Sequence, residues 1–238
     1  MDKYIIENEE IFLKGELKGY PLKVTENKFD HSGKPLPFPG CSIICKIPIK
    51  SDLFYETKLL QSKYRDFNPD KAYTYLPDTS FHMTLFDCCN VNTLNTQYWP
   101  KNIAKENNFK KISNVLSNRI KDLKFPEKFN LKLKKLFGGY SMILEGKTKK
   151  DEKIIRDYRN NLSTLLGIRF ENHETYSFHI TLAYILRKLK DDEIKKLIKI
   201  NCKLLEGFVK KFPIIQIQKP ELCTFENMYD YKSTMINN

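Results

Sequence analysis

At 238 residues, 41% of them hydrophobic and 13% aromatic, the chain can bury a sizeable core, and its composition argues against disorder. Forty-one basic residues against 29 acidic ones leave a formal charge of +12, which suits an anionic partner. That inference is discounted by the Lys-, Asn- and Ile-rich composition, of the kind an AT-rich genome favours, and by there being only six arginines. No apolar run approaches the ~20 residues that span a bilayer, and Met1 to Glu10 is polar and acidic, so a soluble, cytoplasmic protein is expected.

In chain order, residues 1–37 read as an irregular extension punctuated by Gly15, Gly19, Pro21, Gly33, Pro35 and Pro37, with short strands such as Ile11 to Leu13. Phe38-Pro39-Gly40 then introduces Cys41 to Pro48, an apolar run that predicts a buried strand. Ser51 is a good N-cap for a helix over Asp52 to Tyr64. Tyr73 to Leu76 predicts a short strand, Pro77-Asp78 a turn, and Ser80 to Asp87 a further strand. After Trp99-Pro100, a helix is expected over Phe109 to Leu123. Strands follow at Phe129 to Phe137 and Ser141 to Glu145, then a lysine-rich helix over Lys150 to Leu166 with Gly167 as its C-cap. Ser177 to Ile185 predicts a strand, Asp191 to Gly207 a helix, and Phe212 to Gln218 and Glu221 to Phe225 the last strands. Asn227 to Asn238 reads as a frayed tail.

The order repeats. Phe38-Pro39-Gly40-Cys41-Ser42-Ile43 is similar to Phe137-Gly138-Gly139-Tyr140-Ser141-Met142, 99 residues on. Ser80-Phe81-His82-Met83-Thr84-Leu85 is similar to Ser177-Phe178-His179-Ile180-Thr181-Leu182, 97 residues on. Each half reads strand, helix, histidine strand, which implies a duplicated lobe. The six cysteines are scattered with no C-x-x-C pair, so reduced thiols and no structural zinc are expected. Cys41 and Cys45 read as core residues. Cys88 and Cys89, adjacent on a strand, should point to opposite faces and make a poor chelate.

On a strand, alternate side chains share a face. Phe81, Met83 and Leu85 therefore oppose Ser80, His82 and Thr84, while Phe178, Ile180 and Leu182 oppose Ser177, His179 and Thr181. A polar row on an otherwise apolar strand needs water or a ligand to satisfy it. If the two lobes pack as a pseudo-twofold pair, both rows line one groove. One imidazole can then take a proton from an attacking water or hydroxyl while the other protonates the departing oxygen. The threonine hydroxyls can donate to non-bridging phosphoryl oxygens. Nothing in this scheme calls for a metal or cofactor.

With both motifs in view, the sequence resembles the two-histidine (2H), LigT-like phosphoesterase superfamily, which is defined by a pair of His-x-Thr/Ser-hydrophobic motifs. His82-Met83-Thr84-Leu85 and His179-Ile180-Thr181-Leu182 match at every fixed position. More narrowly, Phe38-Pro39-Gly40, Leu76-Pro77, Ser80 to Thr84 and Trp99-Pro100 look like a branch described as a domain of unknown function. The resemblance covers residues 38–226, with lobes at about 38–100 and 129–190. It implies an α+β fold, bilobal, with two antiparallel sheets forming a central groove and helices outside. It also implies RNA 2′,3′-cyclic phosphates, 2′–5′ linkages, oligouridylate tails or cyclic nucleotides as substrates. The expected protein is a monomeric hydrolase acting on an RNA end or nucleotide, away from membranes. The alternatives are a non-catalytic nucleotide or RNA binder and an enzyme that degrades cyclic oligonucleotide signals.

Tyr75, Tyr140, Tyr176 and Arg169 lie near a motif or a matching strand and are candidates for base stacking or phosphate contact, with core packing or a surface role as the alternative. His31 and His173 read as solvated. Asp87 can orient a neighbour, and Lys147 to Lys153 reads as a solvated helix start.

Overall fold

The structure is a computed structural model and describes residues 3–17 and 28–234. Gly19, Pro21 and Met235 to Asn238 lie outside the described residues. Two short helices open the chain, α1 (Lys3–Glu7) and α2 (Glu9–Leu13). Ile11 to Leu13 is thus helical rather than extended. Glu9 and Glu10 sit in the first turn of α2, where the helix dipole favours negative charge. Phe12 and Leu13 face the main core, with the Phe12 ring 5.5 Å from that of Phe137. The Glu9 carboxylate accepts from the Gly138 amide at 2.6 Å and pairs with Lys135 at 2.6 Å, fixing this segment to the body.

The body is α+β. Its strands are β1 (Gly40–Lys46), β2 (Tyr73–Tyr75), β3 (His82–Asn90), β4 (Lys128–Phe137), β5 (Ser141–Gly146), β6 (Phe178–Thr181), β7 (Ala183–Ile185), β8 (Ile215–Gln218), β9 (Glu221–Phe225) and β10 (Tyr231–Ser233). Its helices are α3 (Asp52–Phe67), α4 (Phe109–Ile120), α5 (Lys149–Leu166) and α6 (Asp191–Lys211). The expected caps are in place. Ser51 Oγ accepts from the Phe54 amide at 3.1 Å, and Gly167 ends α5 in the left-handed region at φ 68°. Ser51→Ala should therefore destabilise the protein by about 1 kcal/mol in urea unfolding, with the m-value unchanged.

One large antiparallel sheet runs β10-β9-β1-β3-β6-β5-β4-β8, and a small one pairs β2 with β7. The large sheet curls into a half-barrel, which brings β8 back towards β1. This differs from two sheets facing each other across a groove. The β3–β6 pairing joins the two halves edge to edge into one surface.

Ser177 to Ile185, expected as one strand, divides at Leu182. The Leu182 and Ala183 amides both turn to the Tyr140 carbonyl, at 2.7 and 3.3 Å. The Leu182 carbonyl accepts from the Leu76 amide and from Gln61 Nε2, so β7 departs to pair with β2. Helices α4 and α5 pack on the sheet, and α3 packs on α6. Tyr64 Oη donates to Asn201 Oδ1 at 2.6 Å across that helix pair.

Phe81, Met83, Leu85, Phe178, Ile180 and Leu182 are all in the main core, which is the apolar face predicted for both motif strands. Two register shifts interrupt the β1–β3 ladder. The first leaves Cys88 as an extra residue opposite the Cys41/Ser42 step, which turns Cys88 and Cys89 to one side. Both thiols therefore meet Cys41, with Sγ of Cys41 and Cys89 3.4 Å apart, rather than pointing to opposite faces. A second, smaller cluster of Phe29, Phe38, Leu76, Phe225 and Met228 lies between the 28–38 segment and the last two strands. The tail expected to fray pairs there instead, with Tyr231 opposite Phe225.

Candidate functional site

The site grows out of one pairing. Met83 on β3 opposes Ile180 on β6 in antiparallel register. Extended one residue either way, that register sets His82 opposite Thr181 and Thr84 opposite His179. All four lie on the face away from the core and are half-buried, while Met83 and Ile180 point into the core. Cross-strand neighbours lie ~5 Å apart and alternate residues on a strand ~7 Å apart, so the two histidine Cα atoms sit diagonally at roughly 8 Å. That spacing lets two imidazole rings converge on one phosphate-sized group. The two rings also feel one another: His82 lowers the proton affinity of His179.

Each imidazole is held in the same way. Nδ1 of His82 meets the Ser80 carbonyl at 2.6 Å, and Nδ1 of His179 meets the Ser177 carbonyl at 2.9 Å. A carbonyl only accepts, so each Nδ1 carries hydrogen and donates. Nε2 is then an acceptor when the ring is neutral and a donor when it is charged. Burial is the main force on both rings. It lowers His82 to about 4, partly countered by the Ser80 carbonyl and Asp87 and reinforced by Lys46. It drives His179 well below its ordinary value.

The flanking strands break the symmetry. Lys46 pairs with His82, and Ser141 pairs with Thr181. Ile44 pairs with Thr84, and Ile143 pairs with His179. One row across the sheet therefore reads Ser141, Thr181, His82, Lys46, polar throughout. The next reads Ile143, His179, Thr84, Ile44, with its central pair between isoleucines. Lys46 Nζ also lies 3.5 Å from Glu221.

The four further candidates scatter. Tyr176 lies beneath the site, its ring 6.0 Å from that of His179 and its hydroxyl donating to the Thr84 carbonyl at 3.3 Å. Tyr176 is itself buried under the Arg159 guanidinium, 3.9 Å from its ring. Tyr140 is buried with Tyr73 and Phe137. Tyr75 donates to the Tyr64 carbonyl at 2.6 Å, with Arg65 4.6 Å over its ring. Arg169 is exposed, pairs with Glu174, and lines a separate cavity with Tyr98, Ser163 and Phe170.

Asp87 is exposed, with Ser42 Oγ 3.4 Å away, and His31 is solvated as expected. His173 is not solvated. At 3% exposure it packs edge-on to Phe86, with Nε2 2.9 Å from Asn160 Oδ1, and burial lowers it to about 4. Its polar neighbours in sequence hide the turn that folds it under α5. Sequence reasoning also missed Tyr231, whose ring stands 4.3 Å from that of His82. No periodicity in the last residues marks it.

Residues 28–139 match a family model described as 2H-phosphodiest, a domain of unknown function (DUF1868). The match carries a two-histidine phosphodiesterase description over the segment that holds His82 and Thr84. It ends before His179 and Thr181. No curated protein matches the chain. A crystal structure of a conserved protein of unknown function from Agrobacterium tumefaciens strain C58 shares the fold. It is 23% identical, covering 95% of this chain and 97% of that one, with a TM-score of 0.87. Among the described residues, no helix is long and apolar enough to cross a membrane.

Proposed function

We propose that this chain is a phosphodiesterase of the two-histidine, LigT-like type that hydrolyses an RNA-type phosphodiester, a 2′,3′-cyclic phosphate or a 2′–5′ linkage, without a metal. The observation that carries the reading is the Met83–Ile180 pairing, which sets two His-x-Thr motifs side by side in opposite directions. The β1–β3 and β5–β6 registers support an origin by duplication. Ile44 and Ser141, Lys46 and Ile143, His82 and His179, and Thr84 and Thr181 all correspond at one offset of 97 residues. Met83 and Ile180 correspond as well, so the local twofold axis of the site passes between equivalent residues.

The chemistry follows from the asymmetry of the rows. His179, flanked by Ile143 and Thr84, stays neutral, and its Nε2 takes a proton from the attacking water. The resulting oxygen forms a bond to phosphorus while the bond to the leaving oxygen breaks. His82, in the polar row, gives that oxygen the proton on its Nε2. Thr84 and Thr181 donate to the non-bridging oxygens, where negative charge accumulates. Tyr176 braces His179 from below, and Tyr75, Tyr140 and Arg169 stay outside the reacting centre.

The deciding experiment is a panel of 2′,3′-cyclic nucleotides, 2′–5′ and 3′–5′ oligonucleotides, and cyclic di- and trinucleotides. It is run with wild type, His82→Ala and His179→Ala, with and without EDTA. Turnover of a 2′,3′-cyclic or 2′–5′ substrate, insensitive to EDTA and lost in both variants, supports the proposal. Preference for cyclic di- or trinucleotides assigns the site to signal degradation, and binding without turnover makes it a receptor.

A further inference from the structure

His82 has a neighbour that the paired motifs do not supply. Tyr231, on β10 at the edge of the large sheet, reaches across the curled face so that its ring centroid lies 4.3 Å from that of His82, at 54°. The ring is held from behind by Phe225 at 5.1 Å, and its hydroxyl points to Met228 Sδ at 3.7 Å. The ring beside His179 is that of Tyr176, just ahead of β6, and β6 lies four pairings from β10 in the sheet order. The contact with His82 comes from β10, outside both histidine motifs.

We propose that Tyr231 is the positioning residue of His82, holding the imidazole in the rotamer that keeps Nδ1 on the Ser80 carbonyl and Nε2 toward the groove. An aromatic ring against one side of an imidazole excludes water from it and blocks rotation about χ1 and χ2, which an open strand surface does not. Burial acts most strongly on the ring and opposes its proton; the Ser80 carbonyl and Asp87 favour the proton, and Lys46 opposes it. Glu221 partly neutralises Lys46 from β9. Tyr231 contributes no charge, its hydroxyl being held well above its ordinary range by burial. It acts by shielding the imidazole from water, and so belongs to the site without touching the reacting atoms.

The catalytic consequence rests on the function proposed above, whereas the test does not. Histidine resonances are followed by two-dimensional NMR as a function of pH in the full chain. In wild type, an NOE between the Tyr231 ring and His82 Hε1 is expected, and its absence overturns the proposal without any variant. In Tyr231→Ala, His82 should titrate at least ~1 pH unit higher as water reaches the ring, while His173 keeps its titration. Tyr231→Phe should restore the wild-type titration. An unchanged His82 titration in Tyr231→Ala, or an equal shift in Tyr231→Phe, sinks the idea. Where a substrate is turned over, the Tyr231→Ala pH–rate limb assigned to His82 should move with the NMR value. A shifted titration without turnover of any substrate leaves the positioning role standing and removes the enzyme reading instead.

Discussion

Alanine at His82 or at His179 is expected to lower kcat/KM on the cleaved phosphodiester by about 10²–10⁴-fold, because each removes one proton transfer from the transition state. The loss should fall on kcat, since neither ring is needed for the uniform binding that sets KM. The double variant should lose little more than the worse single one, because base and acid act on a single displacement. The pH dependence separates the two roles. In the free protein burial holds His82 at about 4 and His179 well below its ordinary value, so a protonated acid is scarce at neutral pH. A bound phosphodiester brings negative charge between the rings and favours their protonated forms. The alkaline limb of kcat, which reports the complex, should therefore lie above that of kcat/KM, which reports the free protein. Full activity in either alanine variant removes the mechanism. Coincident limbs remove its electrostatic part.

How much of this was legible in the sequence depended on periodicity. The two motif strands alternate without interruption from Phe81 to Leu85 and from Phe178 to Leu182, and the core and groove faces follow from that alternation. Helix boundaries followed from local chemistry, as at Ser51 and Gly167. Four things were not legible because they are set by tertiary contact. The joining of both halves into one sheet depends on β3 and β6 pairing across nearly 100 residues. The bulge at Cys88 reverses the side-chain alternation that the sequence implies. His173 and Tyr231 sit in polar, aperiodic stretches, and only packing under Phe86 and against His82 shows that they are inside. Lys46 and Ser141 look like the ends of apolar strands until the register sets them beside His82 and Thr181.

The same buried rings make the fold sensitive to acid in a window that carboxylates do not occupy. His82, His173 and His179 all bind protons more weakly folded than unfolded. Between the unfolded value near 6.5 and the folded one, the unfolded chain holds more protons, so stability is complete above ~6.5 and falls as pH drops towards 4. For the buried His173, lowered to about 4, the loss is on the order of 3 kcal/mol. The partly buried His82 contributes less after solvent screening. The paired carboxylates Glu145 and Glu193, lowered in the folded state, add their own loss only below ~4.5. Urea unfolding at pH 7.5 and 4.5 should therefore show a drop of several kcal/mol, and His173→Phe should reduce that drop by about 3 kcal/mol. Stability that is flat between those two pH values contradicts the lowered proton affinity of these three rings. An anionic ligand reverses part of the effect: one that binds between His82 and His179 stabilises their protonated forms. Inorganic phosphate at millimolar concentration should then protect more strongly at pH 4.5 than at 7.5, and His179→Ala should abolish that difference.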